Sequence, residues 1–243
     1  MAAFGGYPQN VTFSTVNVAK GGGSENLLIN PRGKINQLNE PDGVLSAGVY
    51  FCDGWKAGAS GAEVYRDSDG FRLISGSIVQ LVPNNLGAGR NLRANMDIIS
   101  GSPVMSINGF SDNAVSSDSE YISLEISGNN SKFNRLILAE SLEIPIYQQS
   151  PDELTPCLKF AEVCRATLIS NSVDKGDVSY FRVIFKAIKN KTPAVIHAGN
   201  DLTVLSGGTK VSTVLPDGFY VYKETSDSAS NRVGGTFIVD ARP

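Results

Sequence analysis

Turn residues punctuate this chain about every ten positions, and that spacing constrains the fold more than any other feature. Between Asn26 and Tyr147 the apolar runs are strand-sized: Leu27–Ile29, Val49–Phe51, Glu63–Arg66, Phe71–Ser75, Ile78–Val82, Leu92–Ile99, Val104–Asn108, Tyr121–Ser127 and Phe133–Ala139. Gly, Asn, Asp and Pro separate them, as in a β-sandwich or jelly roll. The alternation is cleanest in YISLEIS, which places Ile122, Leu124 and Ile126 on one face and Tyr121, Ser123 and Glu125 on the other. One face is then packed and the other wet. The fold class expected is all-β: a jelly-roll-like sandwich, a short helix and a second small β-domain.

The expected division is a lead strand and glycine-rich joint over 1–24, a sandwich over 25–148, and a helix with a small β-domain over 149–243. In the lead, Val11 and Phe13 alternate, as do Val16 and Val18, with a one-residue slip at Thr15 that marks a bulge or a change of face. Gly21-Gly22-Gly23 follows as a joint. Ser150-Pro151-Asp152-Glu153 predicts a helix start through a capping box, with Leu154, Cys157, Leu158 and Ala161 on one face and an end between Phe160 and Val163. Pro156 allows a kink. Strand runs resume with ATLIS, VSYFRVIFKAI, AVIHAG, DLTVLS, KVSTVL, GFYVYKE and GGTFIVDAR, and Pro216-Asp217-Gly218 reads as a hairpin connection.

With 243 residues, 41% hydrophobic and 19% charged, the chain can bury a proper core without staples. A net charge of −3 without a basic stripe argues against nucleic acid. No apolar run approaches membrane-spanning length, so no membrane insertion is expected. The N-terminus lacks the basic and apolar regions of a secretory signal, so synthesis and folding in a cytoplasm are expected. Cys52, Cys157 and Cys164 form neither a disulfide framework nor a metal spacing, and read as small buried hydrophobes. Asp67-Ser68-Asp69-Gly70 has alternate oxygens but lacks the distal glutamate of a calcium loop, so it and the loop acids Asp42 and Asp53 read as turn residues. No cofactor is expected: Gly87-x-Gly89 precedes no helix, and metal-ligand spacing is missing.

The stretch ENLLINPRGKINQ (residues 25–37), with CDGW (Cys52–Trp55) some twenty residues on, resembles the opening of a module in tail fibres, tail spikes and related receptor-binding proteins of tailed bacteriophages. IYQQSPDELTPCLKFAE resembles the short helix that ends such modules, with Glu153-Leu154, Cys157 and Phe160 on the matching positions. FKAIKNKTPAVIHAG and GGTFIVDAR resemble later strands of the same proteins. The matches stand in the family's order, with departures at Pro31, Gly54 and Pro156. The resemblance implies a carbohydrate-binding-module-like sandwich, a place at the end of a tail fibre among other tail proteins, homotrimeric assembly, and binding to bacterial surface polysaccharide or lipopolysaccharide. It also implies a virion location, with assembly in the host cytoplasm and action outside the cell.

Three residues are candidates for ligand binding: Trp55, Tyr220 and Tyr222. Trp55, the single tryptophan, has a ring suited to the apolar face of a sugar, although a lone tryptophan in a β-domain most often fills the core. In GFYVYKE, Tyr220 and Tyr222 share one strand face and Phe219, Val221 and Lys223 the other. An exposed tyrosine pair would serve sugar binding or a subunit interface, and an ordinary half-buried pair is an equal alternative. His197, in AVIHAG, reads as a hydrogen-bonded strand histidine. No Gly-x-Ser-x-Gly elbow occurs and no pair of carboxylates stands out, so no catalytic residue is assigned. The expectation is a non-enzymatic receptor-binding protein, trimerised through residues 9–18 and one face of the C-terminal domain. The alternatives are a structural tail adaptor and a small glycan-cleaving enzyme.

Overall fold

The computed structural model describes residues 25–170, 178–199, 210–224 and 231–243. The lead strand, the joint and the run DLTVLS lie outside these residues. What is described is all-β and sandwich-like, with antiparallel sheets and one small helix.

Nine strands build the first sheet system: β1 (Gly43–Leu45), β2 (Tyr50–Cys52), β3 (Trp55–Asp67), β4 (Gly70–Pro83), β5 (Asn91–Ser100), β6 (Val104–Ile107), β7 (Asn113–Val115), β8 (Tyr121–Ser127) and β9 (Ser131–Glu140). Strands β3 and β4 are long because each serves both layers. The first half of β4 pairs with β9 and its second half with β8. The ladder between β3 and β4 breaks between Ala57 and Ala62. At this corner Gly61 and Gly76 take φ of +80° and +81°, and a Cβ on Gly76 would lie 2.3 Å from the Gly61 carbonyl oxygen. Only glycine fits so close an approach in that conformation. The runs Phe71–Ser75 and Ile78–Val82, read from sequence as two strands, are therefore one bent strand.

The layers enclose Phe51, Trp55, Phe71, Leu73, Ile78, Leu92, Phe133 and the three apolar residues of YISLEIS, all essentially buried. Phe71 sits at the centre, with its ring 6.0 Å from Phe51, 5.3 Å from Trp55 and 5.8 Å from Phe133.

Leu27–Ile29 is not a strand. Side-chain amides replace sheet partners there: Gln80 accepts from Ile29 N–H at 2.8 Å and donates to the Ile29 carbonyl at 2.9 Å. Asn26 Oδ1 accepts from Leu138 N–H at 3.1 Å while its Nδ2 donates to the Leu136 carbonyl at 2.8 Å. An amide that both donates and accepts satisfies the backbone as a neighbouring strand would.

The helix α1 (Leu154–Leu158) is shorter than expected, and its cap differs. Asp152, not Ser150, supplies the capping oxygen, accepting from Leu154 N–H at 3.1 Å and Thr155 N–H at 2.9 Å. Glu153 turns away to grip Arg32 with both oxygens, at 3.0 and 3.1 Å. With Pro156 inside so short a segment, the helix closes through a Phe160 N–H bond to the Cys157 carbonyl at 2.9 Å, and a strand follows at once. Cys157 and Phe160 pack with Ile29 and Ile35 in a small cluster beneath the sandwich.

The remaining strands are β10 (Ala161–Ser170), β11 (Val178–Ile184), β12 (Ala194–Gly199), β13 (Lys210–Leu215), β14 (Gly218–Glu224) and β15 (Asn231–Asp240). They form two three-stranded sheets, ordered β10-β15-β12 and β11-β14-β13. Strands β13 and β14 pair through the Pro216-Asp217 turn, with Leu215 opposite Gly218. A second core of Val183, Phe185, Phe219, Val221, Phe237 and Val239 lies between the sheets. Beside it is a buried ion pair, Lys189 Nζ to Glu162 Oε2 at 2.6 Å, with both side chains almost wholly excluded from solvent. Lys189 also donates to the Leu158 carbonyl, and Cys164 Sγ donates to Glu162 Oε1 at 2.8 Å.

Arg242 ties the end of β15 to the sandwich. It reaches Asp240 Oδ2 at 2.7 Å and Glu40 Oε1 at 2.6 Å, and lies 4.0 Å from the centre of the Tyr50 ring. The Tyr50 hydroxyl donates to the Pro243 main-chain oxygen at 2.7 Å.

Candidate functional site

The outer face of the β11-β14-β13 sheet carries the strongest surface feature that the sequence predicted. Period-two alternation turns Phe219 and Val221 into the core and Tyr220 and Tyr222 outward, both half-buried. Register then adds neighbours from the flanking strands. Tyr180 lies opposite Tyr222 and Arg182 opposite Tyr220 on one side; Lys210 and Ser212 stand opposite the same tyrosines on the other. Tyr180 is 68% exposed, and Val178 and Ile184 are exposed at the ends of the same strand face. Val178, Tyr180, Ser212, Thr213, Tyr220 and Tyr222 line an open hollow of about 460 Å³.

Two cations rim the tyrosines. The Arg182 guanidinium carbon lies 6.0 Å from the Tyr220 ring centre, and Lys210 Nζ lies 5.9 Å from that of Tyr222. Arg182 also bonds Asp217 at 2.5 Å, so the hairpin turn holds its guanidinium. The β13 ladder shifts register between Ser212 and Val214, leaving Thr213 as the extra residue of a bulge at φ +40°. A bulge re-aims side chains, and here it adds a second hydroxyl beside Tyr220. Flat aromatic faces beside hydroxyls and cations suit a ring with one apolar C–H face and a hydroxylated edge.

Trp55 belongs elsewhere. Its side chain is 0% exposed, and its indole N–H donates to the Asn30 carbonyl at 3.0 Å. It has no free face for a sugar. Asn30 is itself buried at φ +47°, donating to the carbonyls of Ile35 and Asp53 at 2.8 and 3.1 Å. Asp53 accepts from the Gln37 backbone and side chain at 2.8 and 2.6 Å. The residues of NLLIN, of INQ and of CDGW thus form one buried hydrogen-bonded knot with a packing role. Burial raises the Asp53 carboxyl even against the Gln37 hydrogen bonds.

The three cysteines are free and buried. Burial drives the Cys52 and Cys157 thiols upward, and burial together with the Glu162 carboxylate brings Cys164 to about 12. None supplies a thiolate near neutrality. His197 stacks on Phe237 with ring centres 5.1 Å apart, and its Nε2 is buried with no partner among the described residues. Asp67, Asp69 and Asp42 are engaged by Lys132, Arg32 and Arg66 respectively. Among the described residues no cluster of three or more His, Cys, Asp or Glu is placed to hold a metal ion, and no helix is long and apolar enough to cross a membrane.

Sequence periodicity gave Tyr220 and Tyr222. It missed Tyr180, Arg182 and Lys210 because their proximity depends on strand register. The alternation in VSYFRVI was the available signal for Tyr180. Comparison with protein-family models, curated proteins and solved structures gave no significant match.

Proposed function

We propose that the protein is a non-enzymatic glycan-binding protein that attaches a phage virion to polysaccharide or lipopolysaccharide on a bacterial surface. The observation that carries the binding role is the outward tyrosine face of the β11-β14-β13 sheet, with Tyr180, Tyr220 and Tyr222 beside Arg182, Lys210, Ser212 and Thr213. The place on a tail fibre, alongside other tail proteins, rests on the resemblance of the segments around ENLLINPRGKINQ, CDGW and SPDELTPCLKF to those of tail-fibre proteins. A hydrated sugar binds weakly at one shallow face. Assembly as a homotrimer, with several fibres per particle, multiplies that affinity without new contacts.

The test is binding of the purified protein to bacterial cells and to their extracted surface polysaccharide, with light scattering on the same sample. A trimer that binds saturably, leaves the glycan at its original length, and loses binding in the Tyr220→Ala, Tyr222→Ala double variant supports the reading. A monomer at micromolar concentration removes the trimer, and shortening of the glycan makes the protein an enzyme. The adaptor reading draws on a different observation: Leu142 and Ile144 are exposed on an extended segment after β9, as an interface with another protein would require. A trimer that binds no bacterial glycan favours it.

A further inference from the structure

A second surface, on the sandwich, is built around a residue that local backbone preference does not explain. Strands β5 and β9 pair with Asn95 opposite Ile137 and Asp97 opposite Asn134. Two steps along β5 thus match three along β9, so β9 carries a bulge. Within it Arg135 takes φ +50°. The left-handed position of such a bulge is ordinarily glycine, because any Cβ there strains the backbone. A long charged side chain on this exposed bulge does not fill the core. A residue held in an unfavourable conformation where a smaller one would relax it points to a role beyond folding.

That role has a cavity beside it. Asn95, Asp97, Arg135, Ile146, Tyr147 and Gln149 line a hollow of about 320 Å³ between β5, β9 and the segment leading to α1. Arg135 bonds Asp97 Oδ2 at 3.2 Å. Asn95 donates to the Pro145 carbonyl at 3.0 Å, which fixes the segment against β5. The Tyr147 hydroxyl donates to Glu153 Oε1 at 3.1 Å, and Gln149 Oε1 accepts from Arg32 at 3.4 Å. Glu153 and Arg32 are themselves paired, so the tyrosine and the glutamine are held from behind. Ile146, 76% exposed, adds an apolar surface beside the ring.

We propose that this hollow binds a neutral saccharide ring, as a site separate from the tyrosine face of the C-terminal domain. The class follows from what the lining leaves unused. One Arg135 N–H serves Asp97; among the described residues the other guanidinium N–H groups and Asp97 Oδ1 have no partner, and neighbouring hydroxyls of a sugar can donate to the carboxylate while accepting from the guanidinium. The two charges cancel, which disfavours an anionic ligand relative to a neutral one. Tyr147 and Ile146 offer apolar surface to the C–H face, and the Gln149 amide nitrogen offers one more donor. The inference rests on the glycan-binding reading and adds a second point of contact on each subunit.

The experiment is saturation-transfer NMR on the full chain with the methyl glycosides of glucose, galactose, mannose and N-acetylglucosamine, and with methyl glucuronide as a charged counterpart. Transfer to at least one neutral glycoside is expected. In the Tyr220→Ala, Tyr222→Ala background, where the tyrosine face no longer contributes, transfer should persist, and it should fall about tenfold or more when Arg135→Gly or Asp97→Ala is added, as the loss of a charge-assisted hydrogen bond requires. Arg135→Gly serves as a clean variant, since glycine accepts φ +50° without strain and the melting temperature should hold or rise. No transfer from any neutral glycoside, transfer unchanged in both variants, or stronger transfer to the glucuronide would each overturn the proposal. Polysaccharide binding lost with the tyrosines but unchanged in Arg135→Gly would overturn this site and leave the function proposed above. Glycoside transfer at this site without polysaccharide binding would do the reverse.

Discussion

The two cores solve the same problem with different means. The sandwich encloses an apolar interior in which Phe71 touches three other aromatic rings. The C-terminal domain has a smaller apolar core and places a lysine and a glutamate, both nearly fully buried, beside it. Apolar burial stabilises in proportion to area. A buried ion pair largely cancels its own desolvation and adds specificity of arrangement more than stability. The sandwich should therefore be the more stable unit, and the C-terminal domain the more sensitive to loss of a single charge.

The largest effect should come from Phe71→Ala, which opens a cavity at the centre of the aromatic group and should cost about 3–5 kcal/mol in urea unfolding. A loss below about 1 kcal/mol would mean that the rings repack and that the core is not jigsaw-fitted. Next is Lys189→Met, which strands the Glu162 carboxylate and should cost about 3 kcal/mol. The double variant Lys189→Met, Glu162→Leu should regain most of this; a double as unstable as the single would show that the pair stabilises outright.

Arg242→Ala tests the tie between the regions and should cost about 2 kcal/mol, since two carboxylates lose charged hydrogen bonds. Its pH dependence has a definite sign. Burial pushes the Asp240 carboxyl up, but the hydrogen bonds and charge of Arg242 outweigh this and leave it below the ordinary carboxylate value. The associated stability is present above the unfolded pKa near 3.8 and is lost as pH falls through the lower folded value. Burial raises the Glu40 carboxyl despite its bond to Arg242 and opposes this slope, but Arg242 lowers both carboxyls, so acid dependence between about pH 5 and pH 2 should be weaker in Arg242→Ala than in the parent chain. The smallest structural effect belongs to Tyr220→Ala, Tyr222→Ala, which should change stability by less than about 1 kcal/mol while removing polysaccharide binding.

Much of the sheet structure follows from short-range pattern. Tyr121–Ser127, Ala194–Gly199, Lys210–Leu215 and Gly218–Glu224 begin and end as strands where their alternation and flanking turn residues place them. The errors have distinct physical origins. Leu27–Ile29 has the composition of a strand, but Gln80, some fifty residues later, takes the partner's place. Glu153 is positioned for a capping box, but Arg32, more than a hundred residues away, draws it off. In both cases a long-range hydrogen bond outcompeted a local one. The hollow beside Arg135 was invisible for the same reason, since a bulge is a property of pairing and Arg135 carries no mark of its φ in the sequence. The face of Tyr220 and Tyr222 was legible because the period of a strand suffices to define it.

The corner at Gly61 and Gly76 has a mechanical consequence. Because β3 and β4 run through both layers of the sandwich, the layers cannot slide past one another without breaking main-chain hydrogen bonds. The two C-terminal sheets share no described strand pairing and are joined by side-chain packing and by Glu162 of β10, which bonds Lys186 and Lys189 in the segment tied to the β13-β14 turn. Under a shearing load the sandwich behaves as one stiff plate folded on itself, whereas the C-terminal sheets are two plates that slip against each other first. A force applied across this chain should therefore be absorbed in the C-terminal domain, with the sandwich as the part that holds its shape.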